Sequence, residues 1–431
     1  MQKKYYDSIG ETVCSFTLPN GLGLYVIPKP GFASKYAVFA TNYGGAHRNF
    51  EVDGERHETP AGIAHYLEHK MFDLPDGDNA MNLLSKNGAD PNAFTSAGMT
   101  AYYFQCTDRF EENLKMLLHF VSTPYFTDET VEKERGIIAQ EINMGLDNPG
   151  VAIYYNLLEC LYDHHPIREQ VAGSVESISH ITAQTLYDCH KTFYAPSNMA
   201  LCVEGDVDPE TVYSIALESL PQDREPVPHA DFGADEGEMP VCTYREAAME
   251  VSAPQFLIGA KVIPEKNGDA LLRQQLTANL AMRMLAGSSS DFYIKHYAEG
   301  LLNRDFDYEV DFTASTATII IGGESDKPDT VLSELKKEVE RVAAAGFDSA
   351  FFERCKRASL GARLRGFEDF ENVCISAASS RFEGYCCFDA PQVLESIKKQ
   401  ECEEFITRYL ADGHLALSVI KPLKEAEEEK E

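Results

Sequence analysis

The chain has 431 residues, is 44% hydrophobic, and carries a net charge of −31 from 69 acidic and 38 basic side chains. That is a globular composition, too long for one core, so two or more domains are expected. The charge argues against nucleic acid and against anionic membrane surfaces as partners, and is compatible with simple solubility or with basic peptides.

Residues 1–14 contain no apolar signal segment, and nowhere is there an apolar run long enough to cross a bilayer. The eleven Cys are an odd number without a C-x-x-C pair, which suggests reduced thiols and a cytoplasmic protein. Residues 15–28 read as a hairpin around Pro19-Asn20-Gly21, and 36–42 as a further strand. Thr59-Pro60 reads as a helix start for 61–72, with Thr59 as N-cap and Pro60 at the first helical position. A short helix follows at 80–87, then a strand at 100–106 rich in β-formers, and a helix at 110–122 with apolar spacing. Helices are also expected at 127–144, opened by Thr127, at 152–162 and at 181–194, with a strand at 200–204. The Pro-rich acidic stretch 223–240 reads as a linker with little to bury, and 422–431 as an acidic tail.

The chemistry lies in the helix at 61–72, which contains His65, Glu68 and His69 in an H-x-x-E-H pattern. By chance, this pattern is expected roughly 0.03 times in a chain of this composition. Four residues apart on a helix, the two imidazoles point the same way and can reach one metal ion. Glu68 shares that side without having to ligate, as a base for the attacking water requires. Catalytic zinc takes three protein ligands, so one more is needed. In the helix at 127–144, Glu134 and Glu141 are seven residues apart and share a face. They are either a solvated stripe, or one ligand plus one carboxylate that holds a ligand histidine's free N–H. The adjacent His164-His165 pair lacks ligand spacing and reads as structural.

His65-x-x-Glu68-His69, followed by Glu132-x-Glu134-Arg135-x-x-Ile138-x-x-Glu141, resembles the pitrilysin/insulysin family of zinc peptidases, the inverzincins. It is most similar to the small two-domain, processing-protease-like branch, and the wording around the motif, with Lys70 where many relatives have a hydrophobic residue, most resembles a bacterial cytosolic subgroup of about this length. Asn92-Ala93-Phe94-Thr95 with Thr100-Ala101-Tyr102, His165-Pro166 with Gly173, and Ser197-Asn198-Met199 through Gly205-Asp206 also match family positions. The resemblance implies one Zn2+ per chain on His65, His69 and Glu141. It makes Glu68 the general base and Glu134 the carboxylate behind a ligand. Asn92, Ala93, Phe94 and Thr95 would form the edge that pairs with a peptide substrate's backbone.

Asn198-Met199-Ala200-Leu201 and His414-Leu415-Ala416-Leu417 resemble each other at an offset of 415 − 199 = 216, about half the chain. The expected organisation is a zinc-binding peptidase domain at 1–222, the linker at 223–240, and a homologous domain without metal at 241–421. The same offset from His65 lands near Met282, where no ligand stands. The fold class is α+β: two similar domains, each a mixed, mostly antiparallel sheet with helices on one face. The family resemblance adds that these domains form half of a clam-shell chamber. The family's second domain carries an Arg and a Tyr around a Gly-Leu; aligned on Gly300-Leu301, those positions fall here on His296 or Tyr297 and on Asn303, with Arg304 and Tyr308 nearby. The expected function is therefore a zinc metalloendopeptidase acting on peptides or unfolded segments. Its expected partner is a paralogous inactive subunit supplying Arg and Tyr, or a second copy. The alternative is a non-catalytic structural or assembly subunit, and such members of the family have usually lost metal ligands.

Overall fold

The computed structural model describes residues 1–423, so the acidic tail beyond Leu423 lies outside the described residues. In chain order the first half runs β1 (Gln2–Tyr6), β2 (Glu11–Thr17), β3 (Gly23–Pro28), β4 (Lys35–Thr41), β5 (Asn49–Val52), β6 (Glu55–Glu58), α1 (Ile63–Lys70), α2 (Ala80–Lys86), β7 (Ala89–Thr95), β8 (Thr100–Cys106), α3 (Phe110–Ser122), α4 (Asp128–Leu146), α5 (Pro149–Leu161), α6 (Val175–Ile178), α7 (Ala183–Phe193), β9 (Met199–Gly205) and α8 (Pro209–Ser219). The second runs β10 (His229–Ala230), β11 (Tyr244–Met249), β12 (Gln255–Val262), α9 (Gly268–Ala286), α10 (Asp291–Ala298), β13 (Asp307–Thr313), β14 (Thr316–Glu324), α11 (Pro328–Ala345), α12 (Ser349–Gly366), α13 (Phe370–Phe382), α14 (Ala390–Ser396), α15 (Lys399–Tyr409) and β15 (Leu415–Pro422).

The chain folds into two compact units that are interleaved in sequence. The first comprises Met1–Ile142, Glu169–Phe232 and Leu364–Asp389; the second comprises Asn143–Arg168, Gly233–Arg363 and the chain from Ala390 on. The units therefore differ in two segments from a contiguous division at 222 and 241.

The first unit is built on a seven-stranded sheet, β1-β2-β3-β9-β4-β8-β7. Every pair is antiparallel except β3 with β9. One face packs on the amphipathic helices α1, α3, α7 and α8, through Leu67, Leu114, Leu117, Leu186 and Ile215. Each such side chain, once buried, stabilises the fold by roughly 1.5–3 kcal/mol. The other face is covered as well, by Val373, Cys374, Ala377 and Ala378 of α13. Burial on both faces explains why β4 and β9 are near-continuous apolar runs rather than alternating ones.

The second unit repeats the arrangement. Its sheet runs β11-β15-β12-β14-β13, parallel only between β11 and β15, which is the order of β3-β9-β4-β8-β7. Here α5 packs on β11, β12 and β15, in the place α13 takes in the first unit, while α9, α11 and α15 also pack on the sheet. Each half of the sequence thus supplies one helix to the other half's sheet, so the second face of neither sheet is bare. At Gly259 the β12 backbone passes so close to Leu157 of α5 that an added Cβ would lie 2.8 Å from its side chain.

Two local expectations change. Helix α1 begins at Ile63, after Gly62 with φ of 90°, and not at Thr59-Pro60. A Cβ at position 62 would lie 2.4 Å from the Ala172 carbonyl oxygen, so tertiary packing fixes the start. The Thr59 hydroxyl donates to the Arg48 carbonyl instead of capping the helix. The Pro-rich stretch is likewise no free spacer. Strand β10 pairs with β5, the Phe232 ring packs 5.6 Å from that of His47, and Glu236 receives the backbone N–H groups of Asp163, His164 and His165 at 3.0–3.1 Å.

Those three donors, with the Lys261 ammonium at 3.4 Å, hold the Glu236 carboxyl well below its ordinary range, at about 2, against the opposing effect of burial. A depressed acid stabilises the fold above its unfolded pKa and loses that contribution as pH falls toward its folded pKa. Glu236→Gln should therefore destabilise the protein at pH 7 by about 2 kcal/mol, the scale of hydrogen bonds to a charged group. In urea titrations the gap to wild type should shrink as pH is lowered from the ordinary Glu range toward about 2. A gap independent of pH would show that the charge is not what matters.

Candidate metal centre

Helices α1 and α4 bring the site together. The apolar side of α1, formed by Ile63, Ala64, Tyr66 and Leu67, is buried in the core. That turns His65 and His69 outward together, with ring centroids 4.6 Å apart. Thr127 opens α4, its hydroxyl accepting the Thr130 N–H at 3.2 Å. Val131, Ile138 and Ile142 then bury one side of α4, leaving Glu134 half-buried and Glu141 exposed. Side chains of α1 fasten the pair to backbone carbonyls of α4: the Tyr66 hydroxyl to that of Val131, and the Lys70 ammonium to that of Thr130 at 3.3 Å. Lys70 is fully buried and also ion-pairs with Asp73. Its stem fills a core position while its charge is met locally.

His65, His69 and Glu141 converge, with one donor atom from each lying within 4.8 Å of the others. His65 Nε2 stands 3.5 Å from Glu141 Oε1, and His69 Nε2 stands 3.6 Å from Glu141 Oε2. These separations are longer than good hydrogen bonds. They are close to the edge of a tetrahedron around zinc, roughly 3.3–3.4 Å for bonds of about 2.0–2.1 Å. The tautomer agrees. His69 Nδ1 lies 3.0 Å from Glu134 Oε1, which can only accept, so Nδ1 carries the proton and Nε2 presents a lone pair to Glu141. A lone pair facing a carboxylate is repulsive unless a cation, a proton or a metal, stands between them. The donor set therefore fits zinc.

The electrostatics divide the two histidines. Burial, helped by the neighbouring His69, lowers His65 to about 4, so it is neutral and able to ligate near neutral pH. Burial also pulls His69 down, but the Glu134 hydrogen bond and the charges of Glu68, Glu134 and Glu141 outweigh it and leave the ring above its ordinary value. The His69 hydrogen bond, in turn, holds Glu134 below its ordinary value. Glu68 is buried, and desolvation raises it despite the opposing Thr95 hydrogen bond. The Thr95 hydroxyl donates to Glu68 Oε2 at 2.8 Å, which leaves Oε1 free.

Asn92, Ala93, Phe94 and Thr95 all lie on β7, the terminal strand of the first sheet. The structure thus places Thr95 on that edge and against Glu68 at once, a link invisible in the sequence, since the residues are 27 apart on different elements. The His164-His165 pair is not part of this cluster. His164 Nε2 bonds the Ala234 carbonyl at 2.7 Å, and buried His165 accepts the Ile167 N–H at 3.0 Å, so both are structural. In the second unit, His296 is buried and bonded to Glu299, and the Asn303 amide lies 3.4 Å from Asp305 and Glu324. Arg304 is exposed and bonded to Tyr297, and Tyr308 is half-buried near Arg283. Among the described residues, no helix is long and apolar enough to cross a membrane.

Comparison with known proteins follows the same lines. Residues 52–174 match the family model "Insulinase (Peptidase family M16)", and residues 180–359 match "Peptidase M16 inactive domain". The chain is 38% identical, over 97% of its length and 98% of the relative's, to an uncharacterized zinc protease of Bacillus subtilis (strain 168), YmfH. It is 23% identical to the zinc protease PqqE of Helicobacter pylori over 75% of this chain and 72% of that one. A crystal structure described as an M16-like peptidase, from Alicyclobacillus acidocaldarius, superposes with a TM-score of 0.91 at 31% identity, covering 96% of this chain and 98% of that one. A protease structure from Helicobacter pylori shares the fold, with a TM-score of 0.81 at 18% identity over 95% of this chain and 99% of that one. The chain belongs to the M16 family of zinc peptidases.

Proposed function

We propose that the chain is a zinc-dependent endopeptidase for peptides or unfolded segments, with one Zn2+ held by His65, His69 and Glu141. The observation that carries this reading is the approach of both Nε2 atoms to the Glu141 carboxylate, at 3.5 and 3.6 Å, with the His69 proton held on Nδ1 by Glu134 and Glu68 on the same helix as the histidines. When bound, zinc would polarise the scissile carbonyl and lower the pKa of the attacking water to roughly 7. Glu134 keeps the His69 proton on Nδ1 and so keeps Nε2 available as a donor. Glu68 takes the water's proton on Oε1, the oxygen not engaged by Thr95, and passes it to the leaving amine. Its burial raises its basicity toward the working pH. The substrate lies along β7 as an added strand, held at Asn92–Thr95 by main-chain hydrogen bonds that read backbone more than side chains. The alternative of a non-catalytic assembly subunit leaves Glu68 buried in a polar site without work to do.

We further propose that the lone chain is a weak enzyme and that a paralogous inactive subunit, or a second copy, completes the site. The support is that the position of the family's Arg falls on His296 or Tyr297 and that of its Tyr on Asn303, and all three are engaged locally. None of them offers a cationic fork, and Asn303 offers no phenol, to a developing oxyanion.

Metal analysis of the purified protein should find about one zinc per chain. His65→Ala or Glu141→Ala should strip most of it, and Glu134→Gln should weaken it by roughly 10–100-fold. Zinc unchanged in both ligand mutants would remove the assignment. Glu68→Gln should keep zinc and melting temperature but lower peptide turnover by on the order of 10²–10⁴-fold; near-normal turnover with zinc bound would give the base role to another residue. Mixed with its paralogue, the chain should cleave an unstructured peptide roughly 10²–10³-fold faster than alone, the usual worth of an oxyanion donor. Full activity of the lone chain, lost on mutating Arg304 or Tyr308, would return that role to this sequence.

A further inference from the structure

Cys160 and Cys242 are 82 residues apart in sequence, yet their Sγ atoms lie 2.6 Å apart. Cys160 is on the last turn of α5, where helix carbonyls lack intrahelical partners. The incoming chain before β11 fills that gap: the N–H groups of Val241 and Cys242 both donate to the Cys160 carbonyl, at 2.7 and 3.1 Å. The backbone therefore holds the thiols face to face, and their meeting is not an accident of two mobile side chains. The position in the fold is particular. The second unit loses the chain at Arg168 and regains it at Gly233, and the two cysteines flank that excursion on either side. Glu236, clamped on the amides of Asp163, His164 and His165, closes the same junction without a covalent bond.

We propose that Cys160 and Cys242 are a redox modification site, oxidised by peroxide to a reversible disulfide that staples the exit and return of the chain in the second unit. Cys242 is the partly exposed thiol and reacts first, whereas Cys160 is buried and burial raises its pKa, so it stays protonated until its partner is activated. The Cys242 thiolate attacks one peroxide oxygen. The O–O bond breaks, hydroxide leaves and takes up a proton, and a sulfenic acid remains. The Cys160 sulfur then attacks the Cys242 sulfur, its proton departs, the S–O bond breaks and a second water leaves. Two thiols lose two electrons and one peroxide becomes two waters. A dithiol reverses the bond by exchange. Because the bond closes a long loop, it restricts the unfolded chain strongly and should raise thermal stability.

The test treats the full chain with a small excess of hydrogen peroxide, blocks remaining thiols with N-ethylmaleimide, and maps peptides by mass without reduction. The expected result is one peptide pair joined through Cys160 and Cys242, released by dithiothreitol, with a higher melting temperature in the oxidised form. Cys242→Ser should lose both the cross-link and the melting difference, while Cys386→Ser should keep both. Oxidation of Cys242 to sulfinic acid without a cross-link, or cross-links spread equally over other cysteines, would overturn the proposal.

Discussion

The site depends on one hydrogen bond, from His69 Nδ1 to Glu134, together with the crossing of α1 and α4 that permits it. Without it the His69 proton is free to move to Nε2, which would then donate an ordinary hydrogen bond to Glu141 in place of a lone pair. With it, the His69 lone pair meets His65 Nε2 and the Glu141 carboxylate at one point. The crossing itself is set by apolar burial, because Leu67 and Tyr66 of α1 and Val131 and Ile138 of α4 belong to one core. Polar side chains then fix the register, with Tyr66 and Lys70 bonded to successive carbonyls of α4. A packed core moves little, which is what preorganised ligands need.

The duplicated architecture shows how the same scaffold is used twice with different outcomes. Both sheets have the same strand order with a single parallel pair. In the first unit, helix α1 between β4 and β7 presents His65 and His69. In the second, the long helix α9 follows β12, and its Ala281, Met282 and Leu285 are buried as core. A helix that spends its face on packing has none left for ligands.

Much of this was legible in the sequence because the decisive patterns are local. His65, Glu68 and His69 sit on two turns of one helix, so their spacing alone fixes their direction. Strand β8 and helix α3 occupy the residues that β-propensity and apolar spacing indicate. What escaped was set by tertiary partners. The start of α1 is placed by the Ala172 carbonyl against Gly62, which overrides the Thr59-Pro60 signal. The stretch 223–240 reads as polar and breakable, yet a carboxylate such as Glu236 can organise a loop by accepting amides, which composition does not reveal. The transfer of α5 and α13 to the other half's sheet has no signature in periodicity, because an apolar helix face looks the same whichever sheet it covers. The Thr95 contact with Glu68 joins a strand to a helix and is invisible to spacing.

The proposed zinc ligands His65, His69 and Glu141 stand in a chain whose eleven cysteines offer softer competing ligands. X-ray absorption at the zinc edge on the purified protein tests the assignment most directly, since Zn–S and Zn–N/O distances differ by about 0.2–0.3 Å. Zinc on two histidines and a glutamate should show a four-coordinate shell of nitrogen and oxygen only, at about 2.0–2.2 Å, with the outer-ring scattering of two imidazoles. A sulfur shell at about 2.3 Å would contradict the assignment and move the metal to the cysteines.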